Sequence, residues 1–498
     1  MSEIKFAFQP WARPLCACAL GALLLTGCAR QTTKEGAEFD GLSESDRVAL
    51  ELEQSVGFVN DPELLSYIES VARRIVVEGE RDDVDYRFKI LDMELSNALA
   101  LPDGQIFVSR GVLVLVNSED ELAGVLAHEI AHVEENHASE RNNLALVTSP
   151  IRLGAGIAGW ATGLVIPGLG DAIVELGEST SGLVLAPYSR EQEREADRAG
   201  QSLAAAAGYR PQGLVDLLDT MAKAEALDRE NIPDQSWFDS HPATAERVEL
   251  TREHGESLTP APRPASVRDR ASVLALLQGL VVGGDPGKGF FHENWFAHPE
   301  LDFAMGFPPG WEGINSGGFV GAKKPDEEIL VMLALVAEGT DPIAGAKMAS
   351  RTLEIDLVSD AQLGRVNGLQ AVRNQAQIIG DDGEIQMLEL TWIAHGGLIY
   401  QVMGVAPLER FEAVEEIMRG SAQSFRPLTN EERSNILVVK LEVVEGRQGE
   451  TIAQMAERAE TIWSPEVIAV INRKTVTERL EPGEPIKVGI QENYARDP

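Results

Sequence analysis

Residues Leu122 to Val133, LAGVLAHEIAHV, are apolar or small at every position but three, so a helix over them is buried on all sides. The exceptions are His128, Glu129 and His132. Burying two imidazoles and a carboxylate needs something to offset the lost hydration, and a metal ion held between the imidazoles does so. At about 100° per residue, Leu122, Val125, Leu126, Ile130 and Val133 form one stripe, and Glu129 projects from its middle. His128 and His132 lie roughly 40° apart on the flank, within reach of one ion at about 2.0–2.1 Å. Ala123, Gly124, Ala127 and Ala131 fill the other sides and permit close backbone packing. Ser118-Glu119-Asp120-Glu121 fits a capping box at the start.

A catalytic zinc site usually takes three protein ligands and keeps the fourth place for water, so a third ligand must come from elsewhere. In Tyr188-Ser189-Arg190-Glu191-Gln192-Glu193-Arg194-Glu195-Ala196-Asp197, Ser189 and Gln192 suit a second capping box. On the helix that follows, Glu193 and Asp197 share a face with Ala196, Gly200, Ala204 and Ala207, while Glu191, Arg194, Glu195 and Arg198 point outward. A solvated charged helix explains the outward set but not the inward pair. Glu193 can ligate the metal, and Asp197, one turn on, can accept the outer N–H of a ligating histidine and fix its tautomer.

These residues, with Ser240-His241-Pro242-Ala243-Thr244-Ala245-Glu246-Arg247 and the stretch from Ser96 to Val108, resemble the gluzincin zinc metalloproteases typified by HtpX and BepA and related to the CAAX prenyl proteases. The resemblance covers roughly residues 42–253. It implies that Glu193, the first glutamate of the family's ExxxD pattern, is the metal ligand and that Glu195 is not. It also implies that His241 and Arg247 stand near the zinc. Asn97, Ala98 and the strand Gln105 to Val108 resemble the edge that holds an extended substrate by backbone pairing.

Read from the residues, His241 sits at the mouth of a helix begun by Pro242, beside the positive end of the helix dipole. There it can donate to a developing oxyanion, with Arg247 in support. The competing role, which the family resemblance allows, is a fourth zinc ligand that displaces water and holds the enzyme latent; the plainest role is a helix cap. His137, five residues after His132, lacks the metzincin spacing and reads as solvent-facing. His128, His132 and Glu193 would hold one Zn2+ per chain. Glu129 would be the general base, with His241 and Arg247 as its catalytic partners. An extended, unfolded segment suits such a site better than a folded surface.

Lys5 and Arg13 precede an apolar run, Leu15 to Leu25, that ends in Leu25-Thr26-Gly27-Cys28, like a bacterial lipoprotein signal over residues 1–28 with Cys28 lipidated. Cys16 and Cys18 lie in the part removed, so no disulfide is expected. Ala29 favours the periplasmic face of the outer membrane. With 79 acidic against 43 basic residues, the net charge of −36 argues against nucleic acid and anionic lipid as partners.

The expected fold is multidomain. A mainly α-helical gluzincin protease domain with a small sheet spans residues 29–258, with a movable helical flap from Leu153 to Leu185. A Pro-rich joint, Thr259 to Pro264, closes it. Residues 265–430 give a helix around Ser272 to Leu280 and then an α+β accessory domain that weakly resembles PsbP. In it Glu328 to Val336 and Glu384 to Ala394 alternate as strands and Phe411 to Ser424 is helical. Residues 436–492 resemble a divergent LysM module of βααβ plan, which would tether the chain to peptidoglycan. The function expected is cleavage of unfolded or misassembled envelope proteins. The alternatives are an assembly chaperone or a wall-tethered interaction lipoprotein, and intact Glu129 argues against both, since a structural zinc needs no general base.

Overall fold

A computed structural model describes residues 42–140, 188–227, 241, 245–316, 318–353, 355–379 and 384–495. The segment carrying Cys28, the stretch from Leu153 to Leu185 and Pro242 lie outside the described residues. The first unit contains helices α1 (Glu44–Ser55), α2 (Pro62–Val76), α3 (Arg110–Leu115), α4 (Glu119–Glu134), α5 (His137–Glu140), α6 (Arg190–Ala206), α7 (Gln212–Leu227), α8 (Ala245–Ser257) and α9 (Arg270–Leu277). Its sheet comprises β1 (Arg87–Leu91), β2 (Ala98–Ala100) and β3 (Gln105–Ser109).

The apolar run forms α4, buried at every residue from Glu119 to Val133. It packs against α2, α6, α7 and β2. Small residues set how closely these neighbours approach. A Cβ on Gly124 would lie 2.5 Å from the Leu214 amide nitrogen, and one on Gly213 would lie 2.0 Å from the Asp120 carbonyl oxygen. On α6, a Cβ on Gly200 would lie 2.9 Å from both the Ala127 carbonyl oxygen and the His128 amide nitrogen.

The first turn of α4 buries Glu119, Asp120 and Glu121, where the helix dipole favours negative charge. Glu119 accepts from Arg74 Nη1 (2.9 Å), Tyr209 Oη (3.1 Å) and the Arg268 amide (2.8 Å). Asp120 accepts from Arg210 Nε (2.8 Å) and Arg263 Nη1 (2.7 Å). Ser118 caps the Glu121 amide, but the Glu121 carboxylate accepts the Asn117 amide (2.7 Å) and pairs with Arg473 (3.1 Å). Only half of the expected capping box therefore forms.

Two sequence expectations are corrected. The strand Gln105 to Val108 is not a sheet edge, because the order is β1-β3-β2, with β1 parallel and β2 antiparallel to β3. Its backbone is paired on both sides, and the edge belongs to Ala98–Ala100. The Pro-rich stretch does not close the unit either. It is pinned back by the Ala261 amide on the Ala205 carbonyl (2.8 Å) and by Arg263 on Asp120, and α9 adds Val273, Leu274 and Leu277 to the same core.

The second unit is antiparallel. Strands β4 (Phe290–His292), β5 (Trp295–His298), β6 (Phe303–Gly306) and the short Arg426–Pro427 make a four-stranded sheet. Seven more, from Glu312–Ser316 to Leu398–Pro407, make a second sheet. The runs expected to alternate form strands Leu330–Glu338 and Ile385–His395, but consecutive residues in both are buried, so they are covered on two faces rather than one; Leu408–Ser424 is the helix covering the face where Phe303, Met305 and Phe411 pack. The last stretch runs strand Leu437–Glu445, helix Ile452–Ala459, helix Pro465–Ile471, strand Pro485–Asn493, with the strands antiparallel. Leu441 and Ile471 join the core around α4. No described helix is long and apolar enough to cross a membrane.

Gly200→Ala should destabilise the protein by about 1–3 kcal/mol, because backbone on two packed helices must separate to admit one methyl group. Urea denaturation with an unchanged m-value is the check.

Candidate metal centre

α4 supplies His128, Glu129 and His132; α6, started by the full Ser189/Gln192 capping box, supplies Glu193 and Asp197. His241 arrives just ahead of α8, which carries Arg247. All seven are buried. Donor atoms of His128, His132, Glu193 and His241 lie within 4.8 Å of one another. His132 Nε2 is 3.1 Å from His128 Nε2 and 3.4 Å from Glu193 Oε1. His241 Nδ1 is 2.9 Å from Glu193 Oε1 and 3.3 Å from His128 Nε2. Three imidazoles and a carboxylate converging at this spacing form a donor set that suits zinc.

Around this set stands a second ring of polar groups. Asp197 Oδ1 lies 3.1 Å from His128 Nδ1, the nitrogen turned away from the donor cluster. Arg247 grips Asp197 with two bonds, Nε to Oδ2 at 2.7 Å and Nη2 to Oδ1 at 2.9 Å, and Thr251 Oγ1 adds a third at 3.0 Å. Arg247 also pairs with Glu193 and donates to the His241 carbonyl at 3.1 Å. Sequence reading puts Arg247 beside a reacting carbonyl. The geometry instead makes it the clamp behind both carboxylates, because two acids from α6 are buried next to it and need a cation. Glu129 is fully buried, with Oε1 3.7 Å from His241 Nε2.

The electrostatics favour a cation. Burial opposes ionisation of Glu193, but the surrounding histidines outweigh it and hold the carboxyl well below its usual range. Asp197 is likewise held down against burial, by Arg247 and then His128. Burial and the neighbouring His128 and His241 push His132 well down, leaving it neutral with a lone pair to offer. His128 goes the other way, since its bond to Asp197 and the Glu193 charge outweigh burial.

His137 is the residue that sequence reading missed. It is buried rather than solvent-facing, with Nδ1 3.1 Å from His132 Nδ1 and Nε2 3.3 Å from Glu195 Oε2. Tyr188 was also overlooked; its ring stacks on His132 at 3.7 Å between centroids and 11° between planes. The signal for His137 was Asn136, a residue type that tolerates the left-handed conformation and so can end a helix. Asn97, half-buried, pairs its backbone with Ser109 at the start of β2, and Ala98 is buried in that strand.

Residues 60–254 match the family model described as Peptidase family M48. The chain is 31% identical over 166 residues to metalloprotease LoiP of Escherichia coli strain K12, a match covering 33% of this chain and 61% of that protein. It is 29% identical over 188 residues to mitochondrial metalloendopeptidase OMA1 of Schizosaccharomyces pombe, covering 38% and 52%. To the beta-barrel assembly-enhancing protease of Escherichia coli strain K12 it is 25% identical over 231 residues, covering 46% and 43%. The chain thus spans about half to three fifths of the length of the curated relatives it matches. Among solved structures, cyanobacterial PsbP from Synechocystis sp. PCC 6803 aligns at 14% identity and TM-score 0.22, over 29% of this chain and 98% of that one, a score too low to assign a fold.

Arg247→Met should destabilise the metal-free protein by about 3–5 kcal/mol, since it strands two buried carboxylates. Adding Asp197→Asn to it should recover part of that loss in the same urea titration.

Proposed function

Residues 60–254 form a domain of peptidase family M48, and on that premise we propose that the chain is a zinc-dependent metalloendopeptidase acting on unfolded or misassembled envelope proteins. The observation that carries this is the convergence of four buried donors within 4.8 Å, with the Glu129 carboxylate buried against them. A zinc held only as a staple has no use for such a carboxylate.

His128, His132 and Glu193 hold the metal. When bound there, zinc acidifies a water molecule and polarises the scissile carbonyl. Glu129 takes the proton of the attacking water and returns it to the departing amine. Asp197 holds His128 in the tautomer that offers Nε2, and Arg247 holds Asp197. His241 has two roles in turn. Where it stands, beside Glu193 and His128, it would be a fourth donor to a metal held there. Once withdrawn from Glu193, its imidazole can donate to the oxyanion. The β2 edge at Asn97 and Ala98 is the place where an extended segment can add by backbone pairing, which selects unfolded chains.

The relatives and the N-terminal sequence support a reading of location and partners. A beta-barrel assembly-enhancing protease among them points to the outer membrane and its proteins as the setting. Lipid on Cys28 would anchor the chain to the periplasmic face of that membrane. The strand-helix-helix-strand order of the last module supports a LysM-like reading and, through it, contact with peptidoglycan.

Purified full-length protein should contain about one zinc per chain and should degrade a disordered substrate such as casein, and chelation should abolish the cleavage. Glu129→Gln should keep the zinc and lower kcat/KM by about 10²–10⁴. Zinc-loaded wild type without cleavage of any disordered substrate would favour the chaperone reading instead.

A further inference from the structure

Taking the metal centre as read above, we infer that His137 and Glu195 are positioning residues for His132. The three side chains form one hydrogen-bonded chain that fixes the tautomer and aim of that ligand. The Nδ1 atoms of His132 and His137 lie 3.1 Å apart, so one must donate to the other. His132 Nε2 faces the donor cluster and must be bare to bind a cation, which leaves its proton on Nδ1. His137 Nδ1 is then the acceptor, and its own proton sits on Nε2, facing Glu195 Oε2 at 3.3 Å. Every proton in the chain has one assignment.

Stacking alone cannot do this. Tyr188 holds the plane of the His132 ring, but a ring turned by 180° about Cβ–Cγ stacks equally well and presents carbon Cε1 where Nε2 should be. The bond to His137 distinguishes the two orientations. His137 reaches that position because Asn136 adopts φ 61° directly after α4, reversing the chain so that α5 starts beside the turn it left. On an unbroken helix, a side chain five residues on would point about 140° away from His132. Glu195 belongs to the exposed face of α6, while Glu193 and Asp197 belong to the buried face, so one helix supplies a ligand and the terminal acceptors for both α4 histidines.

The two supports differ in kind. Asp197 is buried and clamped by Arg247, whereas the Glu195 side chain is 55% exposed and acts through the intervening His137 ring. Loss of His137 should therefore matter more than loss of Glu195.

The test is Zn2+ affinity of the full chain by chelator competition, with cobalt absorption spectra of the Co2+-loaded protein. His137→Ala should weaken zinc binding roughly 10–100-fold and alter the cobalt bands, as a ligand nitrogen is lost or misaimed. Glu195→Gln, a change on an exposed face, should weaken it less than about tenfold. His137→Asn, which keeps a hydrogen-bond acceptor, should recover part of the affinity and of the spectrum. Urea denaturation of the metal-free variants separates folding from ligation. Affinity of His137→Ala within about twofold of wild type, with unchanged cobalt bands, would overturn the inference while leaving the centre standing. Failure of wild type to bind zinc would overturn both.

Discussion

A helix buried along nearly its whole length has to find a partner inside the protein for every polar group it buries, and α4 buries six. Its first turn buries three adjacent carboxylates, and its middle buries two imidazoles and a fourth carboxylate. Each acid at the N-terminus draws in a different part of the chain. Glu119 takes α2 and the segment before α9, Asp120 takes the Pro-rich stretch and the start of α7, and Glu121 takes the C-terminal module. Leaving any of them unpaired would cost a buried charge its solvation, a penalty of several kcal/mol. The tertiary arrangement around the candidate metal centre is in this sense a set of answers to the desolvation of one helix.

Behind the donor atoms of the centre stands a second set of charged groups. Arg247 pairs with both Glu193 and Asp197 and keeps Asp197 ionised, and Asp197 in turn orients His128. Burial and its histidine neighbours push His132 down, while the bond to Asp197 and the Glu193 charge push His128 up. Metal binding there should release protons. The rigidity comes from close backbone contact, since Gly200 lets α6 lie against Ala127 and His128 with no side chain between.

The sequence made the zinc helix legible because an all-round apolar run with three polar exceptions has one cheap solution. The inward pair Glu193 and Asp197 was legible for a related reason, a 3.6-residue period that separates it from the outward Glu191, Glu195 and Arg198. His137 was not, because its meaning depends on a single left-handed residue that ends α4, and periodicity assumes the helix continues. The edge strand was misplaced because β3 pairs with two partners, one of them, β1, from 14 residues upstream of β3. The Pro-rich stretch reads as a linker by composition, yet its Ala261 amide and Arg263 are claimed by groups whose position only the fold reveals.

The C-terminal module shows the same limit at larger scale. By composition it is a separable unit, and by packing it is not. Lys487 is buried and donates to the Val114 and Val116 carbonyls at 2.7 and 2.8 Å, where α3 ends. Burial pushes its pKa well down, against the pull of the Glu121 carboxylate. Asn117 donates to the Ile471 carbonyl, and Arg270 reaches both Asn117 and Asn472. Three buried carbonyls and the Glu121 carboxylate would lose donors if the module lifted away, and each unsatisfied group costs about 1–3 kcal/mol. The module is therefore packed onto the N-terminal turn of the helix that carries His128 and His132, through Asn117 and Glu121.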